Sequence, residues 1–173
     1  MTIGSILLAD AMKRFSEYQS LGEKAMEQLE NEDLHFQHQF ANSIAIIICH
    51  LHGNMLSRWT NFLVEDGEKP WRKRDEEFEI QTLSRPQLMK KWDEGWKLLM
   101  ATLHSLKEED LYKTITIRNQ SMGVMDAILR QLAHYSYHIG QIVFIAKMLK
   151  GGAWKTLSIP KGGSKAYNPS LKS

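Results

Sequence analysis

The chain has 173 residues, 43% of them hydrophobic. That is the size of a single domain able to bury about 70% of its unfolded surface, so neither a disulfide nor a structural metal is required to hold the fold. Its 22 Lys and Arg nearly balance 20 Asp and Glu, and residues 150–173 contribute five lysines and no acid, which leaves the other 149 residues with 17 basic against 20 acidic groups and argues against nucleic acid as the main partner.

In chain order, Leu8, Ala11, Phe15, Tyr18, Gly22, Ala25 and Leu29 alternate at spacings of three and four, which puts them on one face of a first helix over about 5–31. Its first residues include Asp10, Lys13 and Arg14 where an export signal needs an uninterrupted apolar run, so a cytoplasmic protein is expected. Asn42 or Ser43 is placed to cap a second helix over about 43–64, whose stripe of Ile44, Ile48, Leu51, Met55 and Phe62 has Arg58 in one of its slots. An arginine there must reach the rim or find an acid. The run Ile44–Cys49 is too short to cross a bilayer, and Cys49, the single cysteine, reads as a packed small hydrophobe.

Residues 65–82 break the pattern into a long charged loop with an Asp66-Gly67 turn and Lys69-Pro70. Ser84 and Pro86 open a third helix running to about 107 through Leu88, Trp92, Trp96, Leu99, Leu103 and Leu106. Residues 113–119 alternate like a strand but read as one isolated extended crossing. Ser121 is the expected N-cap of a fourth helix that stops at Gly151-Gly152. The reading is an all-α four-helix bundle over 1–150 with an irregular tail, 151–173, docked at its start and loose toward Ser173.

The chemistry concentrates in histidines. His134 and His138 are four residues apart on the fourth helix, so their Cβ atoms lie about 5–6 Å apart on one face, and the helical wheel turns both toward the apolar side. Two buried imidazoles can equally be satisfied by backbone carbonyls or by a neighbour such as Tyr137, so a third ligand decides. The second helix offers His50 and His52 about 200° apart, and the wheel alone does not choose between them.

Ser43-Ile44 through His50, Gly53-Asn54, Arg58-Trp59 and the run Asp66–Trp71 resemble a branch of the DinB/YfiT-like superfamily. So do Arg130–Gln141, which carries an H-x-x-x-H-x-G-Q pattern, and Trp154–Pro160. The resemblance implies a four-helix bundle that binds a divalent ion (Zn, Ni, Mn or Fe) through His50, His134 and His138. It implies similarity to transferases that use low-molecular-weight thiols such as bacillithiol, mycothiol or glutathione-like cosubstrates, and a small-molecule substrate.

Three neutral imidazoles leave the 2+ charge of such an ion uncompensated, which favours thiolate or hydroxide beside it. Asn54 and Gln141, one turn from His50 and His138, are candidates for orienting the ligands or lining the cavity, or else they merely pack or bridge helices. Arg58, Trp59, Trp71 and Arg72 are candidates for a pocket wall; alternatively Arg58 and Arg72 answer Glu65, Asp66 or Asp75 in a structural loop. Asn54, Arg58, Tyr137 and Gln141 form the expected rim. His35, His38, His52 and His104 read as surface or rim residues. The function expected is a metal-dependent thiol S-transferase or hydrolase, against a non-catalytic metal-binding or stress-response bundle and a bundle whose histidines bind nothing. Five tryptophans and nine methionines suggest a homodimer.

Overall fold

The computed structural model describes residues 2–167. Four long helices dominate it: α1 (Ile3–Met26), α2 (Ile44–Trp59), α3 (Arg85–Ser105) and α4 (Val124–Lys150). α1 packs chiefly on α4 and α2 on α3, while α2–α4 and α1–α3 contacts close the core. One aromatic from each helix meets at its centre: Phe15 lies 6.4 Å from Trp59 and 5.9 Å from Tyr135, and Trp96 lies 5.9 Å from Tyr135.

α1 starts on a reciprocal cap, Ser5 N–H to the Thr2 hydroxyl and Thr2 N–H to the Ser5 hydroxyl. It ends five residues before the boundary that periodicity suggests. The cause lies elsewhere in the chain: Arg85, first residue of α3, donates to the carbonyls of Met26, Leu29 and Glu30 and to Asn31 Oδ1, so those acceptors turn outward instead of continuing the helix. A short 3₁₀ turn, Glu32–His35, follows.

Ser43 caps α2 by accepting from Ile46 N–H at 3.2 Å. Thirteen of the 16 residues of α2 are buried, so both edges of its apolar stripe lie inside protein. It stops at Trp59 and not near 64, because Thr60 is extended and Asn61 takes a left-handed φ of 49°. The loop that follows holds a 3₁₀ turn, Asp75–Phe78, against α2. α3 opens as expected at Ser84, whose N–H donates to Gln87 Oε1 at 2.8 Å.

A further 3₁₀ turn, Glu108–Tyr112, leads into a two-stranded antiparallel hairpin, β1 (Thr114–Ile117) and β2 (Gln120–Gly123), with Thr114 opposite Gly123 and Ile117 opposite Gln120. This corrects the expected isolated crossing. Arg118 and Asn119, at φ 56° and 58°, form the two-residue turn, and both of their N–H groups donate to the Asp66 carboxylate. Ser121 therefore lies in β2 and does not cap α4; the first α4 N–H, from Val124, donates to Lys113 O. α4 ends where Gly151 takes φ 51°, as the glycine pair predicts.

Beyond α4, a 3₁₀ turn (Gly151–Ala153) is followed by Trp154 and Leu157 on the core, two hydrogen bonds between Gln28 and the Lys155 backbone, and a one-turn helix α5 (Ser164–Tyr167). The remainder of the tail, to Ser173, lies outside the described residues. No helix among the described residues is long and apolar enough to cross a membrane.

Candidate metal centre

α2 and α4 bring His50, His134 and His138 together, with one potential ligand atom of each within 4.8 Å of the others. Ring centroids are 5.3 Å apart for His50–His134, 4.9 Å for His50–His138 and 4.8 Å for His134–His138. His52, the alternative on α2, points instead to Glu94 on α3.

Each ring has an oxygen acceptor at Nδ1: Glu77 Oε2 at 2.9 Å from His50, Gln131 Oε1 at 3.3 Å from His134 and Gln141 Oε1 at 2.8 Å from His138. With Nδ1–H donating outward, the Nε2 lone pairs are left facing inward. His50 Nε2 and His134 Nε2 are 3.3 Å apart, and the buried His138 Nε2 has no hydrogen-bond partner among the described residues. Two nitrogens each about 2.0–2.1 Å from a tetrahedral ion are themselves about 3.3–3.4 Å apart, the spacing of the His50–His134 pair, and His138 brings a third nitrogen within 4.8 Å of both.

Burial makes the charged rings costly. It is the largest cause that pushes His134 down to about 3, with the charges of His138 and His50 adding to it. His138 is pushed down to about 4, again chiefly by burial and against a smaller raising effect of the Gln141 hydrogen bond. Both rings are therefore neutral and available as donors at neutral pH.

Glu77 has no counterpart in the sequence reading. It stands 27 residues from His50 and arrives on the 3₁₀ turn of the long loop. Burial raises the pKa of its carboxyl, but hydrogen bonds from His50 and Arg72 and the Arg72 charge outweigh that and hold it below the ordinary carboxylate value. Arg72 grips it with two bonds of 2.8 and 2.9 Å. Gly53, one turn after His50, makes the approach possible: a Cβ there would stand 2.7 Å from Glu77 Cδ. Gln131 was legible in principle, since it precedes His134 by three residues as Gln141 follows His138 by three.

The expected rim residues separate. Arg58 and Tyr137 line a cavity of about 600 Å³ that opens onto the triad, as do Asn54, Arg72 and Phe78. Asn54 does not orient His50; its Oδ1 accepts from the Tyr135 hydroxyl at 3.0 Å, and the Tyr135 hydroxyl oxygen in turn accepts from Trp59 Nε1 at 3.0 Å. This buried chain fixes α4 against α2 one residue from His134. Gln141 holds His138 and lines a second cavity alongside.

Trp59 lies in the core and Trp71 is exposed, and neither lines the triad cavity. The two arginines are ion-paired, but not to the acids proposed for them. Arg58 pairs with Glu68, and Arg72 with Glu77 and Glu68, whereas Glu65 takes Lys69 and Asp66 caps the hairpin turn. Of the remaining histidines, His38 lines the neighbouring apolar cavity and His104 bonds the Met100 carbonyl.

No curated protein and no solved structure gives a significant match to this chain. A family model does: the one described as "Protein of unknown function (DUF1572)" matches residues 2–163, nearly the whole length, and the chain belongs to that family.

Proposed function

We propose that this chain is a divalent-metal protein on a DinB/YfiT-like four-helix bundle, with His50, His134 and His138 as ligands, and that it transfers a thiol to, or hydrolyses, a small electrophilic substrate. The observation that carries the reading is the polarity of the triad. Three Nδ1 atoms are committed outward to Glu77, Gln131 and Gln141, and the opposite ring edges converge beneath an open cavity of about 600 Å³. A bound divalent ion would supply the charge that lowers the pKa of a thiol or of water beside it.

The chain's own residues then do three things. Glu77 keeps a proton on His50 Nδ1 and fixes the ring's orientation, itself fixed by Arg72. Tyr137, with ring centroids 5.2 Å from His134 and 4.2 Å from His138, walls the two α4 ligands. Among the described residues the cavity lining contains no carboxylate and no lysine to act as a base, so the nucleophile ionises chiefly through the charge beside it. A thiol, at about 8.5, needs far less help than water, at about 15.7, which favours the thiol-dependent reaction over hydrolysis. A non-catalytic metal-binding or stress-response protein would be expected to close the space over its triad, and this space is open. We also propose a homodimer. Its support is not the tryptophans, since Trp59, Trp92 and Trp96 are buried, but exposed Phe144 and Met148 on α4 and Phe40 on the loop before α2.

The test is a metal assay on untagged protein followed by a screen of cellular thiols against a chromogenic electrophile. One equivalent of metal and turnover that needs both metal and thiol are expected. Stoichiometric metal without turnover by any thiol or water would replace the enzymatic reading with the binding one.

A further inference from the structure

Five arginines line the triad cavity: Arg58, Arg72, Arg74, Arg118 and Arg130. They come from α2, the long loop, the hairpin turn and α4, so no local sequence pattern gathers them. Their carboxylate partners are fewer. Glu68 and Glu77 between them serve Arg58, Arg72 and Arg118. Arg74 has only a 3.8 Å contact with the fully exposed Asp75, and Arg130 has no ion pair among the described residues. The wall therefore carries an excess of positive charge even before a metal is counted.

These guanidiniums are also positioned. Arg74 stacks 5.0 Å above the Phe78 ring, which in turn lies 4.6 Å from the His50 ring. Arg118 is set by the hairpin turn that Asp66 pins, and it gives only its Nε to Glu68. Arg58 and Arg72 are committed, Arg58 to Gly67 O and Glu68 and Arg72 to Glu77 and Glu68, so the free donors are those of Arg74, Arg118 and Arg130. A cavity built to bind a neutral electrophile has no use for so much unspent guanidinium, whose planar fork of donors matches carboxylate and phosphate oxygens.

We infer that the substrate or thiol cosubstrate carries a carboxylate or phosphate oxyanion, held by Arg74, Arg118 and Arg130 while its reacting atom faces the triad. This names the ligand class for the reaction proposed above and rests on that reading only for where the reacting atom sits. The anion site itself is made of arginines that ligate no metal.

The experiment is calorimetric titration of the metal-free and the zinc-loaded protein with inorganic phosphate and, separately, with succinate, at low salt and in the absence of chloride. Arg130→Gln, Arg118→Gln and, as a control outside the cavity, Arg14→Gln are compared with the parent after circular dichroism confirms that each is folded. One anion is expected to bind the metal-free protein, and whichever of phosphate and succinate binds more tightly identifies the oxyanion. Each of the Arg130 and Arg118 substitutions should weaken it about tenfold, as loss of a charge-assisted hydrogen bond does, and Arg14→Gln, which removes an exposed α1 charge paired with Glu17 away from the cavity, should leave metal-free binding within about threefold of the parent. Failure of the metal reading alone would show as arginine-dependent anion binding in a protein that takes no zinc. The inference is overturned if neither anion binds, or if anions bind only with zinc and the Arg130 and Arg118 variants bind them like the parent.

Discussion

Two cavities of nearly equal size flank α4, and they differ in almost everything but volume. One, about 600 Å³, is walled by the histidine triad and five arginines; the other, about 610 Å³, is walled by Phe36, Phe40, Phe144, Ile145 and Met148. Tyr137 lines both. Size therefore does not locate the chemistry. What sets the first apart is that its polar groups are organised in depth, with Nδ1 partners behind each imidazole and Arg72 behind Glu77, whereas the second offers an apolar surface with Asn42, Gln141 and His38 on it.

The sharpest way to break that contrast is to remove one inward nitrogen. His134→Ala leaves two ligands and should abolish stoichiometric metal binding. The far-ultraviolet circular dichroism should stay near that of the parent, because the aromatic centre of Phe15, Trp59, Trp96 and Tyr135 is untouched. Metal content by elemental analysis decides it; one equivalent retained by the variant would remove the triad from consideration.

Next in size is the support behind His50. Glu77→Gln keeps an acceptor near Nδ1 but loses the charge that Arg72 and the ring both hold, and should weaken metal affinity about 10–100-fold. Gly53→Ala approaches the same result from the helix, since its Cβ would crowd Glu77 Cδ at 2.7 Å and push the carboxylate off His50. Competition with a chelator measures both. If Glu77→Gln weakens binding and Gly53→Ala does not, the close approach at Gly53 is not what positions Glu77.

How much of this was legible in the sequence follows the range of each interaction. The i, i+4 pair on α4 and the apolar stripes depend on one helix, so periodicity located them, and the Ser84 and Pro86 start signal marked the N-cap of α3. The ends of α1 and α2 depend on Arg85 reaching three carbonyls from another helix and on a left-handed Asn61, neither of which a hydropathy pattern contains. The hairpin was half seen, because β1 alternates while β2, Gln120–Gly123, has no buried face to advertise it. Glu77 was invisible because a loop with no period carries it; of the cavity arginines, Arg58 and Arg72 were candidates from the sequence, while Arg74, Arg118 and Arg130 come from three separate elements that no single pattern gathers. The choice of His50 over His52 needed a family resemblance, since both edges of a helix as buried as α2 look alike on a wheel.

A smaller effect separates the cavities by pH. In metal-free protein the folded pKa values of His134 and His138 lie near 3 and 4, below the 6.5 of an unfolded histidine. Between those values the unfolded chain binds more protons than the folded one, so stability rises with pH through that window and levels off above about 6.5. Urea midpoints of chelator-treated protein should fall progressively as pH is lowered from 6.5 toward 4. In His134→Ala the slope should be shallower by one group's share. A midpoint flat across that range would mean that the two rings are not held neutral by their surroundings.

The smallest effect on the metal centre is expected from the other cavity, and it tests whether that surface belongs to a second copy of the chain. Phe144, 69% exposed on α4, and Phe40, 101% exposed on the loop before α2, place two large rings in water beside half-exposed Met148, an apolar patch of the kind that subunits cover. Light scattering of the parent should give twice the 20.0 kDa of one chain. Phe144→Ser should shift it toward the monomer, because a hydroxyl buried without a partner at the centre of such a face costs more than the exposed serine. Metal stoichiometry should not change, since among the described residues no triad histidine lines the apolar cavity, and Tyr137, which lines both, and Gln141, which holds His138, keep their side chains in the variant. A monomer at micromolar concentration in the parent would assign the apolar cavity to something other than self-association. A dimer lost together with the metal would show that the two cavities, so different in their walls, are one functional unit joined through Tyr137.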